Sequence, residues 1–110
     1  MVNYKCFYFN ELRVGCYLIW DDTRECVIVD PGCKDDNELG RLVKFIGENS
    51  LIPVKILLTH GHFDHVMGVQ GVADKWDLKA YIHPNDRNFA LSAHESCSYF
   101  GFYMEPITCE

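Results

Sequence analysis

Residues 59–65 read Thr-His-Gly-His-Phe-Asp-His, and they close a nearly continuous apolar run that begins at Val54. A short run of this kind is typical of a buried strand that a helix joins to its neighbour in the sheet. Ligands of open sheets with helical crossovers bind beyond the carboxyl ends of strands. The position of residues 59–65 therefore predicts a functional loop at one edge of an α/β sheet.

Four side chains that bind metals crowd into this loop: His60, His62, Asp64 and His65, which include three of the five histidines in the chain. Imidazole nitrogens and carboxylates are donors that zinc accepts, and iron or manganese also suit such a set. His60 and His62 can reach one metal from an extended segment, while Asp64 and His65 would point towards a second. Two metals ~3.5–4 Å apart could share a hydroxide. A solvated polar loop is the alternative, but surface loops seldom concentrate histidine without a metal or proton-transfer reason.

The residues before this loop predict three antiparallel strands and one helix. Segments rich in β-branched and aromatic residues alternate with turn-prone polar segments. The predicted strands are Tyr4–Phe9, Val14–Trp20 and Cys26–Asp30, and a helical spacing of apolar residues follows at Leu39, Leu42, Val43 and Ile46. We expect Asp35 to cap this helix with Glu38 as its reciprocal partner, and Gly47 and Asn49 to end it.

The residues after the loop continue the alternation of helices and strands. They predict a helix over Val69–Trp76, a short strand over Lys79–His83 and a helix that Pro84 opens and that runs to Ala93. The whole order, β-β-β-α-β-α-β-α, implies a mixed sheet with helices over at least one face, that is, an α/β or mixed α+β fold. His83 and His94 stand at the ends of elements, which favours structural roles for both.

Length and composition narrow the function classes. The chain has 110 residues, enough for one small domain, and a formal net charge of −6, which argues against nucleic acid and anionic membranes as partners. It has no apolar run of ~18 residues, and its first residues lack the pattern of a signal peptide, so we expect a cytoplasmic protein. The six cysteines form no C-x-x-C pair and are expected to be reduced and structural.

Two stretches resemble the metallo-beta-lactamase superfamily of hydrolases and, within it, the glyoxalase II-like group. Residues 59–65 fit the T-H-x-H-x-D-H signature of that family, and Val27–Gly32 fits its strand ending in D-P-G. The first string is specific, whereas D-P-G alone is weak. The order of elements between the two stretches also agrees. Together, His65 and the D-P-G turn favour the glyoxalase II-like branch over the true β-lactamases and the RNA-processing nucleases.

The resemblance implies a role for each residue of the site. It implies that His60 and His62 bind a first metal and that Asp64 and His65 bind a second, with zinc expected and iron or manganese possible alternatives. Asp64 would also orient the attacking hydroxide or carry its proton. Asp30 would lie beneath the metal site and support its ligands.

The resemblance covers only the first half of the family's fold. Family members stack two similar halves sheet to sheet as a four-layer αββα sandwich, and the remaining metal ligands come from the second half. Residues 1–110 therefore correspond to an N-terminal half, a mixed sheet with helices on one face.

The other face would be open, and Tyr4, Phe7, Phe9, Tyr17, Trp20 and residues 99–104 are candidates to line it. An exposed apolar face of that size marks an interface, so the chain could pair with a copy of itself. Equally, these residues could fold inward as ordinary core.

These observations lead to one function and two alternatives. The first is a metal-dependent hydrolase in which a metal-bound hydroxide attacks a small-molecule thioester such as an acyl-glutathione. The second is a metal-binding or self-associating fragment without catalysis. The third keeps the fold but uses a single iron for oxygen-dependent oxidation of a persulfide. The identity of the metal would separate the first from the third.

Overall fold

Within the part of the chain that the structure describes, five strands form a single mixed sheet in spatial order β1-β2-β3-β4-β5. The structure, a computed structural model, describes residues 2–97, 104 and 106–110. The strands are β1 (Asn3–Phe9), β2 (Val14–Trp20), β3 (Glu25–Val29), β4 (Ile52–Leu57) and β5 (Ala80–Tyr81). The strands β1, β2 and β3 pair antiparallel as a meander, whereas β4 runs parallel to β3 and β5 runs parallel to β4. The prediction of a mixed α/β sheet is confirmed.

Helices provide the crossovers that parallel strands require. They are α1 (Asp36–Glu48), α2 (Phe63–Val66), α3 (Val69–Trp76), α4 (Arg87–Leu91) and α5 (Ala93–Ser96), with a 3-10 turn at Pro84–Asp86. The long helix α1 connects β3 to β4, and α2 and α3 lie between β4 and β5. None of the helices that the structure describes is long and apolar enough to span a membrane.

One face of the sheet forms the core. Side chains from β1 to β4 point into it, and Phe9, Cys16, Leu18, Ile28 and Ile56 are each fully buried. Helix α1 covers this face at the β1–β2 side, where Phe45 packs edge-on against the rings of Phe7 and Trp20.

The opposite face of the sheet carries exposed apolar side chains. Tyr4 is 70% exposed, and Tyr17 and Ile19 of the neighbouring strand are also exposed. The two expectations for the aromatic residues, an exposed face and an ordinary core, are therefore each right in part. Phe7 and Phe9 are buried and Trp20 packs partly buried against the core, because side chains alternate between faces along a strand and these three have the opposite parity to Tyr4 and Tyr17. Met104 is buried, and residues 99–103 lie outside the described residues.

The start of α1 departs from the reciprocal cap that the sequence predicts. Asp35 is the N-cap and its carboxylate accepts from the backbone N–H of Glu38 at 3.0 Å, as expected. The carboxylate of Glu38, however, accepts from the N–H of Lys34 at 2.8 Å and from the N–H of Asn10. A tertiary partner has replaced the local one, and Glu38 thereby ties the β1–β2 turn to the helix.

The region after the loop is more broken than predicted. The expected strand Lys79–His83 is reduced to Ala80–Tyr81, and the expected helix from Pro84 to Ala93 divides into a 3-10 turn, α4 and α5, with Ser92 between the two helices. The short helix α2 was not predicted, because four residues are too few to show helical periodicity. Five of the six cysteines are buried, and all six are free thiols, in keeping with the expectation that they are reduced and structural.

Candidate metal centre

The four predicted metal ligands lie together just beyond the carboxyl end of β4. His60 and His62 belong to the loop between β4 and α2, and Asp64 and His65 lie in α2 itself. The turn after β3, at the neighbouring strand end, carries Asp30. Because β3 and β4 are parallel, their carboxyl ends meet at the same edge of the sheet, which brings Asp30 beneath the histidines.

Asp30 anchors the loop from below. It is 4% exposed and has a φ of 53°, a left-handed conformation that aspartate tolerates better than most residues. Its carboxylate accepts twice from Thr59: from the backbone N–H at 2.8 Å and from the hydroxyl at 2.5 Å. The first residue of the loop is thus held at a defined place relative to the D-P-G turn.

Asp30 also orients His65. Its Oδ2 lies 3.0 Å from Nδ1 of the His65 ring. A carboxylate can only accept, so this contact assigns the imidazole proton to Nδ1 and leaves Nε2 with a free electron pair. Nε2 lies 3.8 Å from Oδ2 of Asp64, on the side of the ring away from Asp30. An imidazole held in this way by a carboxylate is typical of a metal-binding histidine.

His60 and His62 approach each other through their ring nitrogens. Their Nδ1 atoms are 2.9 Å apart, so one ring donates a hydrogen bond to the other. The His60 ring also lies 3.9 Å from that of His65, measured between centroids. Burial, and after it the positive charges that His65 and His62 can carry, lower the pKa of His60. His60 is thereby favoured in the neutral form that binds metals.

Glycines set the packing around the loop. A Cβ built on Gly61 would lie 2.6 Å from the backbone nitrogen of Ala90, so α4 touches the loop directly between the two histidines. A Cβ on Gly32 would lie 2.3 Å from the carbonyl oxygen of Asp64. Only glycine allows the D-P-G turn and α2 to come this close.

Two residues beside the centre were not predicted. Phe89 of α4 is 49% exposed and its ring lies 5.1 Å from that of His62 in an edge-on arrangement. Asn10, at the β1–β2 turn, donates from Nδ2 to the carbonyl oxygen of Asp64 at 3.0 Å. No signal in the sequence could have identified Asn10, because its partner lies 54 positions away. His83 and His94 take local backbone contacts, with Asn85 and Leu91 respectively, in keeping with the structural roles expected of them.

The donor set has the chemistry of a metal centre but is short of donors. Imidazole nitrogens and a carboxylate converge, and each histidine offers a nitrogen that a metal could take. Among residues 2–97, 104 and 106–110, however, no group of three or more His, Cys, Asp and Glu side chains is arranged to hold one ion. Because zinc takes about four donors, a metal bound here would need others as well.

Comparison with known families identifies the fold. Residues 10–106 match the family model described as the metallo-beta-lactamase superfamily, and this range includes every residue of the centre. The chain belongs to the metallo-beta-lactamase superfamily. The superfamily membership predicted from residues 27–32 and 59–65 is therefore confirmed.

Curated relatives of this member of the superfamily include named hydrolases. It is 49% identical over 101 residues to the hydroxyacylglutathione hydrolase GloC of Haemophilus influenzae, a match covering 91% of this chain and 46% of the relative. It is 42% identical over 77 residues to the probable metallo-hydrolase YqgX of Bacillus subtilis, covering 70% of this chain and 34% of the relative. The chain thus spans between a third and a half of the length of these relatives.

A solved structure also agrees with this fold. The structure described as TTHA1623 in a di-iron-bound form superposes with a TM-score of 0.81 at 30% identity, covering 96% of this chain and 52% of that one. Fold and sequence therefore agree in placing the chain in the metallo-beta-lactamase superfamily.

Proposed function

We propose that this chain is the N-terminal half of a metal-dependent hydrolase that cleaves thioesters of the acyl-glutathione class. The observation that carries the proposal is the 49% identity to a hydroxyacylglutathione hydrolase over 101 of the 110 residues. The convergence of His60, His62, Asp64 and His65 at the carboxyl ends of parallel strands supports it, since this is where the chemistry of such sheets is found.

Four side chains would hold the metal, His60 and His62 for one ion and Asp64 and His65 for a second, with zinc expected and iron or manganese as alternatives. When bound, such a metal lowers the pKa of a water molecule and polarises a carbonyl group. The chain supplies the rest of the arrangement. Asp30 keeps the proton of His65 on Nδ1, which turns Nε2 towards the centre.

Asp64 is the proposed catalytic residue. Its side chain is 20% exposed and therefore open to a water molecule, and its backbone is held by the hydrogen bond from Asn10. A carboxylate in this position can orient an attacking water through Oδ2 and take up its proton there. The second half of the domain would supply the missing donors and the walls that select the substrate.

Two alternative functions would be revealed by other outcomes of the test described below. An iron-dependent persulfide dioxygenase would share the fold and the histidines but hold a single iron, and the di-iron form of TTHA1623 makes iron a metal to test for. A metal-binding fragment without catalysis would hold metal but turn over nothing. The proposed cellular location is the cytoplasm, in keeping with six free thiols.

Elemental analysis of the protein, purified without added metal or chelator, is the first test. Near-stoichiometric zinc supports the hydrolase, and a single iron per chain without thioester hydrolysis favours the dioxygenase. Hydrolysis of a hydroxyacyl-glutathione is then measured in a protein that contains both halves. His60→Ala and Asp64→Ala should each abolish turnover, with His94→Ala as the control. Retained activity in either of the first two variants would refute the assignment.

The open sheet face supports a proposal about assembly. Tyr4, Tyr17 and Ile19 are exposed on neighbouring strands, and Val54 is exposed near them beside a shallow groove lined also by Val2 and Val27. Contiguous apolar surface of this kind marks an interface in soluble proteins. We propose that in the isolated chain a second copy covers this face.

A further inference from the structure

Every polar atom of Asn10 forms a hydrogen bond. It is 8% exposed and adopts a φ of 53° at the turn between β1 and β2. Its Oδ1 accepts from the N–H of Leu12 at 2.8 Å and its carbonyl oxygen accepts from the N–H of Arg13 at 3.1 Å. These two bonds shape the turn itself. The remaining two groups, the backbone N–H and the side-chain Nδ2, bond to other parts of the fold.

The side-chain Nδ2 joins the two loops of the candidate metal centre. It donates to the carbonyl oxygen of Gly32 and to that of Asp64, each at 3.0 Å. The D-P-G turn and α2 come so close here that a Cβ on Gly32 would meet the Asp64 oxygen. Two carbonyl oxygens are both acceptors and repel each other at short range, so a shared donor between them stabilises the approach.

Glu38 holds Asn10 in place. Its two carboxylate oxygens lie 2.8 and 3.0 Å from the backbone nitrogen of Asn10, and one of them also accepts from Lys34. A hydrogen bond to a carboxylate is stronger than a neutral one. The chain of contacts thus runs from α1, through Asn10, to the backbone of Asp64.

Helix α2 needs such support because of its length. It has four residues, and an isolated helix that short has no stability of its own in water. Its orientation is therefore set from outside: Phe63 and Val66 are buried in the core, Asn10 holds the carbonyl of Asp64, and Asp30 holds the ring of His65. We propose that Asn10 is a positioning residue of the metal centre, which sets the direction of Asp64 and His65 by fixing the backbone of α2 against the D-P-G turn. This inference rests on the proposed roles of Asp64 and His65 as metal ligands.

Zinc binding by the full chain tests the inference. Zinc chloride is titrated against a competing chelator at a temperature well below the melting point of every variant. Asn10→Asp keeps the side-chain shape but replaces both donors, and Asn10→Ala removes them. Asn37→Asp makes the same chemical change at an exposed site on α1, and Ile46→Val lowers stability by loss of a buried methylene group.

We expect both Asn10 variants to bind zinc about tenfold or more weakly, the size of effect that residues supporting metal ligands have. Both controls should stay within twofold of the unmodified chain. A merely structural role would lower the melting temperature of the Asn10 variants, as Ile46→Val does, and leave the zinc affinity of the folded protein unchanged. That result, or the failure of both Asn10 variants to fold, would overturn the proposal.

A second measurement distinguishes a failure of this inference from a failure of the proposed function. If the unmodified chain binds no zinc, the metal assignment fails for this chain on its own. The carbonyl ¹³C resonance of Asp64 and the imidazole ¹⁵N resonances of His65 then report on Asn10 directly. Changes at both in Asn10→Asp, absent in Asn37→Asp, support the positioning role, and unchanged resonances contradict it.

Discussion

Asp30 and His65 are 35 residues apart in sequence, yet Oδ2 of the carboxylate lies 3.0 Å from Nδ1 of the imidazole. The same oxygen accepts from the hydroxyl of Thr59, so three donors in all converge on one carboxylate. This contact links the D-P-G turn to the candidate centre: it determines which nitrogen of His65 faces Asp64, another predicted ligand.

Asp30→Asn tests this relationship. An amide offers a single acceptor oxygen to three donors, so at least one of them would face an NH₂ group. We expect zinc affinity to fall about tenfold or more and the melting temperature to drop. A chelator competition assay and thermal unfolding measure the two effects. Asp77→Asn, at an exposed position with a φ of 54°, is the control and should change neither. Equal zinc affinity in the two variants would contradict the role of Asp30.

Two glycines should respond in opposite directions to alanine. Gly61→Ala would place a Cβ 2.6 Å from the backbone nitrogen of Ala90, so α4 or the histidine loop would have to move. We expect a loss of about 1–3 kcal/mol in the free energy of unfolding, together with weaker zinc binding. Gly40→Ala lies inside α1 with open space around it, and should gain about 0.5–1 kcal/mol. Urea denaturation compares the two. A neutral Gly61→Ala would show that the contact with α4 does not constrain the loop.

Buried thiols should make stability depend on alkaline pH. Burial, reinforced by the negative charge of Glu38, raises the pKa of Cys33 from 9.0 to about 12. Above pH 9 the unfolded chain loses this proton while the folded chain keeps it. The contribution is therefore complete below pH 9 and is lost as the pH rises towards 12. We expect Cys33 alone to remove about 1 kcal/mol between pH 8 and pH 10.

Urea midpoints at pH 8 and pH 10 measure this effect. The same measurements are made on Cys33→Ala. For each protein we take the difference in the free energy of unfolding between pH 8 and pH 10, and we compare these differences rather than the absolute stabilities. The difference should shrink by about 1 kcal/mol in Cys33→Ala. The same pH dependence with and without the thiol would mean that other groups account for the loss.

The open sheet face should determine self-association. We expect the isolated chain to shift from monomer to dimer with concentration in sedimentation velocity experiments. Ile19→Lys places a charge on this face and should give a monomer throughout, since burying an unpaired charge in an interface is costly. Leu12→Lys makes the same change at the exposed β1–β2 turn and should leave the association unchanged. A monomer at every concentration of the unmodified chain would exclude the pairing.

Local pattern was sufficient for much of the architecture. Segments rich in β-branched and aromatic residues predicted β1 to β3, a continuous apolar run predicted β4, and the helical spacing of apolar residues predicted α1. The helix α3 was also predicted. The helix division near Ser92 and the short α2 escaped prediction, since elements of four or five residues show no reliable period. Which aromatic residues are buried and which are exposed follows from the alternation of side chains between the two faces of the sheet. This alternation is present in the sequence, but the face that each residue occupies becomes clear only when the register of β1 and β2 is known.

The sequence by itself determined the family and the donors: three histidines and an aspartate at fixed short spacing, after a strand, with a D-P-G turn before them. These are local features, and residues a few positions apart cannot lie far apart. Only the tertiary structure decided how the donors are held. Asp30 beneath His65, Asn10 bonded to Asp64 and α4 against Gly61 join segments that are 29 to 54 residues apart. Such contacts depend on the packing of the whole sheet and its helices, and no local period or spacing in the chain encodes them.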